Sequence, residues 1–336
     1  MTHLRISVVI PVYRSEDFIR DCLQAVLDQH RPVDEIILVD DCGGDASLDI
    51  ASDVLAHAPV NHLVVRQSRN TGVGSARNAG AAAATGDLVW FLDSDDLADP
   101  TFTAIMGAAF EHTDADLAAC RTDLVDATGD SLHVVEPSPS ESRLSGTQFV
   151  QLLLTGEVKA YPGGHVFRRS VLGAAPWAER RAYEDMVATA HMALRSRSVA
   201  MIDAPLYRYR QRAGSISHTV NANTPLLFDM GDEMVAVIAQ VAEGGRQRRL
   251  ARRFEYREVL IPAAHMAMRA AHAGDGANPV VAELLASSRM RASIRDMLPL
   301  LADRQVRSAV FALGMTVSPD LYSSILRRRP EPVRLA

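Results

Sequence analysis

From residue 5 to 120 short apolar runs alternate with segments whose apolar residues recur at helical spacing. The strand Ile6-Ser7-Val8-Val9-Ile10 is followed by Ser15, a predicted helix cap, and then by Phe18, Ile19, Cys22, Leu23, Val26 and Leu27 on one helical face. Strand Glu35 to Val39, a helix near Ser47 to Ala58, strand His62 to Arg66, an Ala-rich helix Ser75 to Ala84 and strand Leu88 to Leu92 follow. Asp99-Pro100 then caps a helix carrying Phe102, Ile105, Met106, Ala109 and Phe110. This order predicts an α/β fold, a mostly parallel sheet wrapped by helices. Ligands of such sheets sit beyond the carboxyl ends of the strands.

The polar residues collect at those ends. Pro11-Val12-Tyr13 follows the first strand, Asp40-Asp41 the second, the Gly-rich run Asn70 to Gly80 the third, and Asp93-Ser94-Asp95-Asp96 the fourth. Three carboxylates within four positions repel one another unless a cation or a hydrogen-bonding ligand joins them, and hard oxygen donors favour Mg2+ or Mn2+. The competing reading is a solvated acidic turn ahead of the next helix. Asp40-Asp41 either caps a helix or leaves one carboxylate to accept from the ring N–H of a base. The run Asn70 to Gly80 resembles a phosphate cradle without matching GxGxxG or GxxxxGK[ST], and Arg77 within it would neutralise phosphate or hold an acidic loop. Glu184-Asp185 stands at a predicted helix start, where most such pairs are caps and where the helix dipole lowers a carboxyl pKa. His218 is an ordinary loop histidine, or it completes a metal shell or touches a leaving diphosphate.

With 336 residues, 48% of them apolar, the chain can bury a large core. Its net charge of -6 argues against a nucleic-acid partner. Cys22, Cys42 and Cys120 lack metal or disulfide spacing and are read as free thiols. No apolar run reaches the length of a membrane span and no hydrophobic leader precedes the first strand, which predicts a cytoplasmic address, with peripheral contact at the inner face of a membrane as an option. Residues 121–182, with Pro137, Pro139, Pro162, Pro176 and Gly163-Gly164, read as a binding platform more than as core. A strand Val199 to Ile202 leads into Pro205 to Arg210. Beyond residue 222 only helical patterns remain, broken at Gly244-Gly245, Gly274 to Pro279, Pro299 and Pro319. The expected organisation is a domain 1–221, in halves 1–120 and 121–221, and a helical module 222–336.

Taken together, Val-Val-Ile-Pro-Val-Tyr (8–13), Ile-Ile-Leu-Val-Asp-Asp (36–41), Asn-x-Gly with Ala-Arg-Asn-x-Gly (70–80) and Phe-Leu-Asp-Ser-Asp-Asp (91–96) resemble the family 2 glycosyltransferases. The likeness continues through Val166 to Leu172, Tyr183-Glu184-Asp185 and Tyr207 to Ser217, covering about residues 5–218. It implies a GT-A (nucleotide-diphospho-sugar transferase) fold and an inverting, metal-dependent transfer of sugar from a nucleotide diphosphate, a UDP-sugar, to an acceptor hydroxyl. It further implies that Pro11 and Tyr13 line the base and ribose pocket, that Asp41 accepts from uracil N3–H, and that Asn70 and Arg77 hold the nucleotide. Asp93, Ser94 and Asp95 become the DxD element, with Asp95 the preferred ligand of Mn2+ or Mg2+, and Asp93 or Asp96 on ribose or metal. Asp185, beside Glu184, matches the general base, while Arg212 and His218 fall near the diphosphate and acceptor. Two positions depart from the family pattern: Arg14 replaces its usual Asn, and Cys42-Gly43-Gly44 its usual Gly-Ser.

The acceptor is read as a glycan, a polyol-phosphate such as a teichoic-acid-like polymer, or a small molecule. Two other readings compete. A sugar-1-phosphate nucleotidyltransferase would need a Gly-rich Arg/Lys loop where Pro11 to Arg14 stands. A non-catalytic sugar-nucleotide or glycan-binding module would not need Asp93, Asp95 and Asp185 together. The helical module leaves open an acceptor platform, a homo-oligomer contact, or docking to an anionic polymer or membrane through Arg246 to Arg253, a run that is otherwise a solvated helix face.

Overall fold

A computed structural model describes residues 3–179, 182–211 and 220–328, and the chain divides into two compact units, Met1–Arg212 and Ala213–Ala336. In the first unit the elements run β1 (Ile6–Val12), α1 (Ile19–Leu27), β2 (Glu35–Asp40), α2 (Ser47–Leu55), β3 (Asn61–Arg66), α3 (Val73–Ala83), β4 (Leu88–Phe91), β5 (Leu97–Ala98) and α4 (Phe102–Glu111). They continue with β6 (Leu117–Val125), β7 (Ser131–Val134), β8 (Arg143–Leu144), α5 (Gly146–Thr155), β9 (His165–Arg168), α6 (Asp185–Arg195) and β10 (Val199–Arg210).

The strands form one ten-stranded sheet in the order β3-β2-β1-β4-β9-β6-β10-β5, with β7 on β6 and β8 on β10. β1 lies between parallel partners β2 and β4, and all seven of its residues are buried, because helices cover both faces of a central parallel strand. β3, at the edge, is exposed instead.

Two stretches depart from the sequence expectation. Within 121–182, β9 inserts antiparallel between β4 and β6, and its Val166 and Phe167 are core residues, so the Pro- and Gly-rich segment supplies a central strand. β10 runs unbroken past Pro205, absorbing the missing N–H by register shifts on either side of it. Ser15 also caps differently from expectation: its carbonyl accepts from Phe18 N and Ile19 N, whereas its hydroxyl donates to nothing.

The second unit is helical: α7 (Leu226–Val241), α8 (Gly244–Phe254), α9 (Ile261–Ala270), α10 (Pro279–Arg291), α11 (Met297–Ala302), α12 (Val306–Val317) and α13 (Pro319–Arg328). A π-helical stretch, Glu255–Leu260, joins α8 to α9 and buries Tyr256, Val259 and Leu260. Pro299 lies inside α11, early enough that its missing N–H costs no helical bond, and it does not end the helix. Among the described residues no helix is long and apolar enough to cross a membrane.

Candidate active site

The carboxyl ends of β1, β2 and β4 point the same way, and the acids follow them. Asp41 is 3% exposed, and its carboxylate accepts from Thr71 N (2.9 Å) and Gly72 N (3.2 Å). The acid after β2 therefore fixes the loop after β3. Pro11 is buried in β1, Tyr13 stands 44% exposed just beyond it, and Asn70 is part-buried in the tied loop.

Arg14 and Cys42 adopt φ of 49° and 58°. These are the two positions that depart from the family pattern, and left-handed backbone is where Asn and Gly sit with least strain. This chain holds the turns by other means: Cys42 N donates to Asp40 Oδ1 (2.9 Å), and the Arg14 guanidinium lies 5.3 Å from the Tyr13 ring centroid.

The Gly-rich run is less a cradle than a packing surface. A Cβ on Gly74 would strike the Ala178 carbonyl, and one on Gly80 would strike Val9, so both glycines let α3 approach its neighbours closely. Asn78 clasps the Trp177 backbone in both directions, Nδ2 donating to its carbonyl (2.8 Å) and Oδ1 accepting from its N–H (3.0 Å). Arg77 is 2% exposed, stacks over Trp177 and donates to Glu184 Oε1 (2.5 Å) and Asp93 Oδ1 (2.6 Å). Of its two readings, the structure supports the holding of acidic segments. Burial opposes the guanidinium charge, but Asp93 and Glu184 outweigh it and raise the Arg77 pKa.

One guanidinium thus joins the acids after β4 to those that open α6. Asp185 is part-buried, and its Oδ1 accepts from Met186 N (2.8 Å). Burial, then the charge of Glu184, push its pKa up to about 7 against the pull of Arg77. The helix-start dipole does not win, because desolvation of the carboxyl is the larger effect.

Asp96, grouped by sequence with the metal ligands, is turned inward. At 1% exposure it accepts from the Tyr207 hydroxyl and from Arg210 N (2.9 Å) on β10. Burial and the charges of Asp95 and Asp93 raise its pKa despite those bonds. It pins β10 beneath the site, a structural task beyond the metal or ribose role expected from the sequence. Ser94 is buried between partly exposed Asp93 and Asp95.

Among the described residues no three His, Cys, Asp or Glu side chains form a ready cation cage. Mg2+ is commonly held by one or two carboxylates with substrate phosphates and water completing the shell, so the donor set of Asp93 and Asp95 fits such an ion. Arg212 and His218 lie outside the described residues. Trp177, Asn78, Gly74, Tyr207 and Arg210 were absent from the sequence-derived site. Gly74 and Asn78 fall in the Gly-rich run and Tyr207 and Arg210 in the family resemblance, but their roles were not readable, since each acts on a residue far away in the chain.

The family model described as "Glycosyl transferase family 2" matches residues 7–174, half of the chain. The Bacillus subtilis (strain 168) protein EpsH, named as a glycosyltransferase, is 29% identical over 236 residues, 67% of this chain and 65% of its own. A poly(ribitol-phosphate) beta-glucosyltransferase of Bacillus spizizenii is 40% identical over 95 residues, 28% of this chain and 15% of its own. The chain thus spans less than two thirds of the length of these relatives. Residues 1–349 of Staphylococcus aureus TarS, solved in complex with UDP-GlcNAc, superpose with a TM-score of 0.63 at 17% identity, covering 92% of this chain and 90% of that one. The fold is that of the GT-A glycosyltransferases. With its acids and glycines at the strand ends in the matched order, the chain belongs to glycosyl transferase family 2.

Proposed function

We propose that this chain transfers a sugar from a UDP-sugar to an acceptor hydroxyl with inversion at the anomeric carbon. The observation that carries the reading is the part-buried Asp185, with a pKa of about 7, tied through Glu184 and Arg77 to Asp93. A base for a hydroxyl must be ionised yet proton-avid near neutral pH, and this carboxyl meets both needs. In the proposed step Asp185 accepts the acceptor hydroxyl proton as its oxygen bonds the anomeric carbon, while the bond to the nucleoside diphosphate breaks on the opposite face. No covalent intermediate is required.

Asp41, held rigid by Thr71 and Gly72, is the proposed reader of the base N3–H, with Pro11, Tyr13 and Asn70 around base and ribose. Asp95, with Asp93, is assigned to hold Mn2+ or Mg2+, which when bound offsets the charge developing on the leaving diphosphate. The UDP-GlcNAc complex of TarS supports a UDP-sugar donor, and the poly(ribitol-phosphate) glucosyltransferase supports a polyol-phosphate or glycan acceptor in cell-envelope synthesis. The domain 1–221 is proposed to hold the whole catalytic apparatus, and the module 222–336 to serve it.

Asp185→Asn separates chemistry from binding. UDP-sugar turnover is expected to fall by about 10²–10⁴-fold while UDP titration by calorimetry stays within about twofold. Turnover above a tenth of the parent rate would remove Asp185 as base, and loss of UDP binding would make it a donor residue.

A further inference from the structure

Exposed large apolar side chains concentrate in the second unit. α12 buries Ala309, Phe311, Ala312 and Met315 on one side and leaves Val306, Val310, Leu313 and Val317 between 41% and 64% exposed on the other. Those four lie at spacings of four, three and four residues, a continuous stripe along one face. A helix that is apolar on both sides is expected to be covered on both. α11 adds Leu298 and Leu301, 69% and 43% exposed.

The exposed arginines beside α11 outnumber the exposed acid, Asp320, that follows α12. The acids beside α11 are already used: Asp296 pairs with Arg252 (2.8 Å) and Asp303 with Arg249 (3.3 Å), so α8 is fastened to both ends of α11. Arg248, Arg295 and Arg304 are exposed and make no ion pair among the described residues. The cationic run of α8 is therefore partly neutralised, and its paired members hold the leucines of α11 in place.

We infer that α11 and α12 form an interfacial face that seats on an anionic lipid bilayer, with the apolar stripe entering the headgroup boundary and Arg248, Arg295 and Arg304 on lipid phosphates. Charge chooses this occupant. A second copy docked through the same face in a two-fold dimer would set arginines against arginines, and an anionic polymer has no use for the valines and leucines. Apolar area and basic side chains together are what bilayer surfaces reward.

The test is sedimentation of the full chain with vesicles of phosphatidylcholine alone or with about a third phosphatidylglycerol, at low and high salt. Binding to anionic vesicles is expected, weakened in high salt. Val310→Glu with Leu313→Glu is expected to reduce it to background with the melting temperature unchanged. Arg295→Ser with Arg304→Ser is expected to weaken it about thirtyfold, and these exposed positions test the idea even if the first pair unfolds. No binding to anionic vesicles at low salt overturns the proposal, as does binding indifferent to both pairs. A concentration-dependent dimer by light scattering that Val310→Glu with Leu313→Glu abolishes, without vesicle binding, assigns the face to a second copy instead.

Discussion

Asp96, after β4, and Asp185, at the start of α6, are both withdrawn from water and both have raised pKa values. Their surroundings differ. Asp96 receives the Tyr207 hydroxyl and Arg210 N–H from β10, while the Asp185 side chain takes the Met186 N–H. Asp96 is a fastener, because its oxygens hold another strand. Asp185 stands beside a second carboxylate, Glu184, whose charge favours its protonated form. The two acids of one site differ in what their donors hold: Asp96 a distant strand, Asp185 the first turn of its own helix.

The largest way to break that contrast is to remove what the two regions share. Arg77→Met leaves Glu184 and Asp93 without the guanidinium between them, and stripping one partner from a buried ion-pair network costs about 3–5 kcal/mol. Chemical denaturation should show that loss, and turnover should fall with it because the segment bearing Asp185 comes free of α3. A variant as stable as the parent would mean that Asn78 and Trp177 hold the segment alone.

Much of this site was legible from the chain. The strand ends announced themselves because an apolar run stops abruptly at Asp40-Asp41 and at Asp93 to Asp96, and the helices between them keep their spacing. Arg77's role was not, since its partner Glu184 is 107 positions away and its partner Asp93 lies 16 away across a strand. Nor was β9, a four-residue strand too short for a period and set among prolines and glycines. Asp95 and Asp96 are neighbours in sequence with like charge, and only the pairing of β10 with β5 shows which one turns inward. The apolar stripe of α12 was hidden for the opposite reason: a helix that is apolar all round looks like core.

A smaller effect tests Asp96. Tyr207→Phe removes one of its donors with little change in volume, and a buried acceptor left short is expected to cost about 1–3 kcal/mol. The loss should appear as a lower melting temperature. An unchanged melting temperature would show that the Arg210 N–H suffices and that Asp96 is less of a fastener than its burial implies.

The smallest effect has the opposite sign and sharpens the contrast most. The Asp185 carboxyl titrates near 7 in the fold and near 3.9 unfolded, so between about pH 4 and pH 7 the folded state keeps a proton the unfolded chain has lost. Stability contributed by this group therefore falls as pH rises through that window, and the full penalty stands above pH 7. Asp185→Asn keeps the acceptor for Met186 N and removes the charge. Discounted for partial exposure, the variant should be more stable than the parent by about 1–2 kcal/mol at pH 8 and indistinguishable at pH 4. Turnover of the parent should rise over the same range, since only the ionised carboxyl can take a proton. Melting curves of parent and variant across that range decide it: curves that converge in acid show that Asp185 keeps its proton in the fold at the expense of stability, whereas parallel curves would show an ordinary carboxyl, poorly matched to proton transfer near neutral pH.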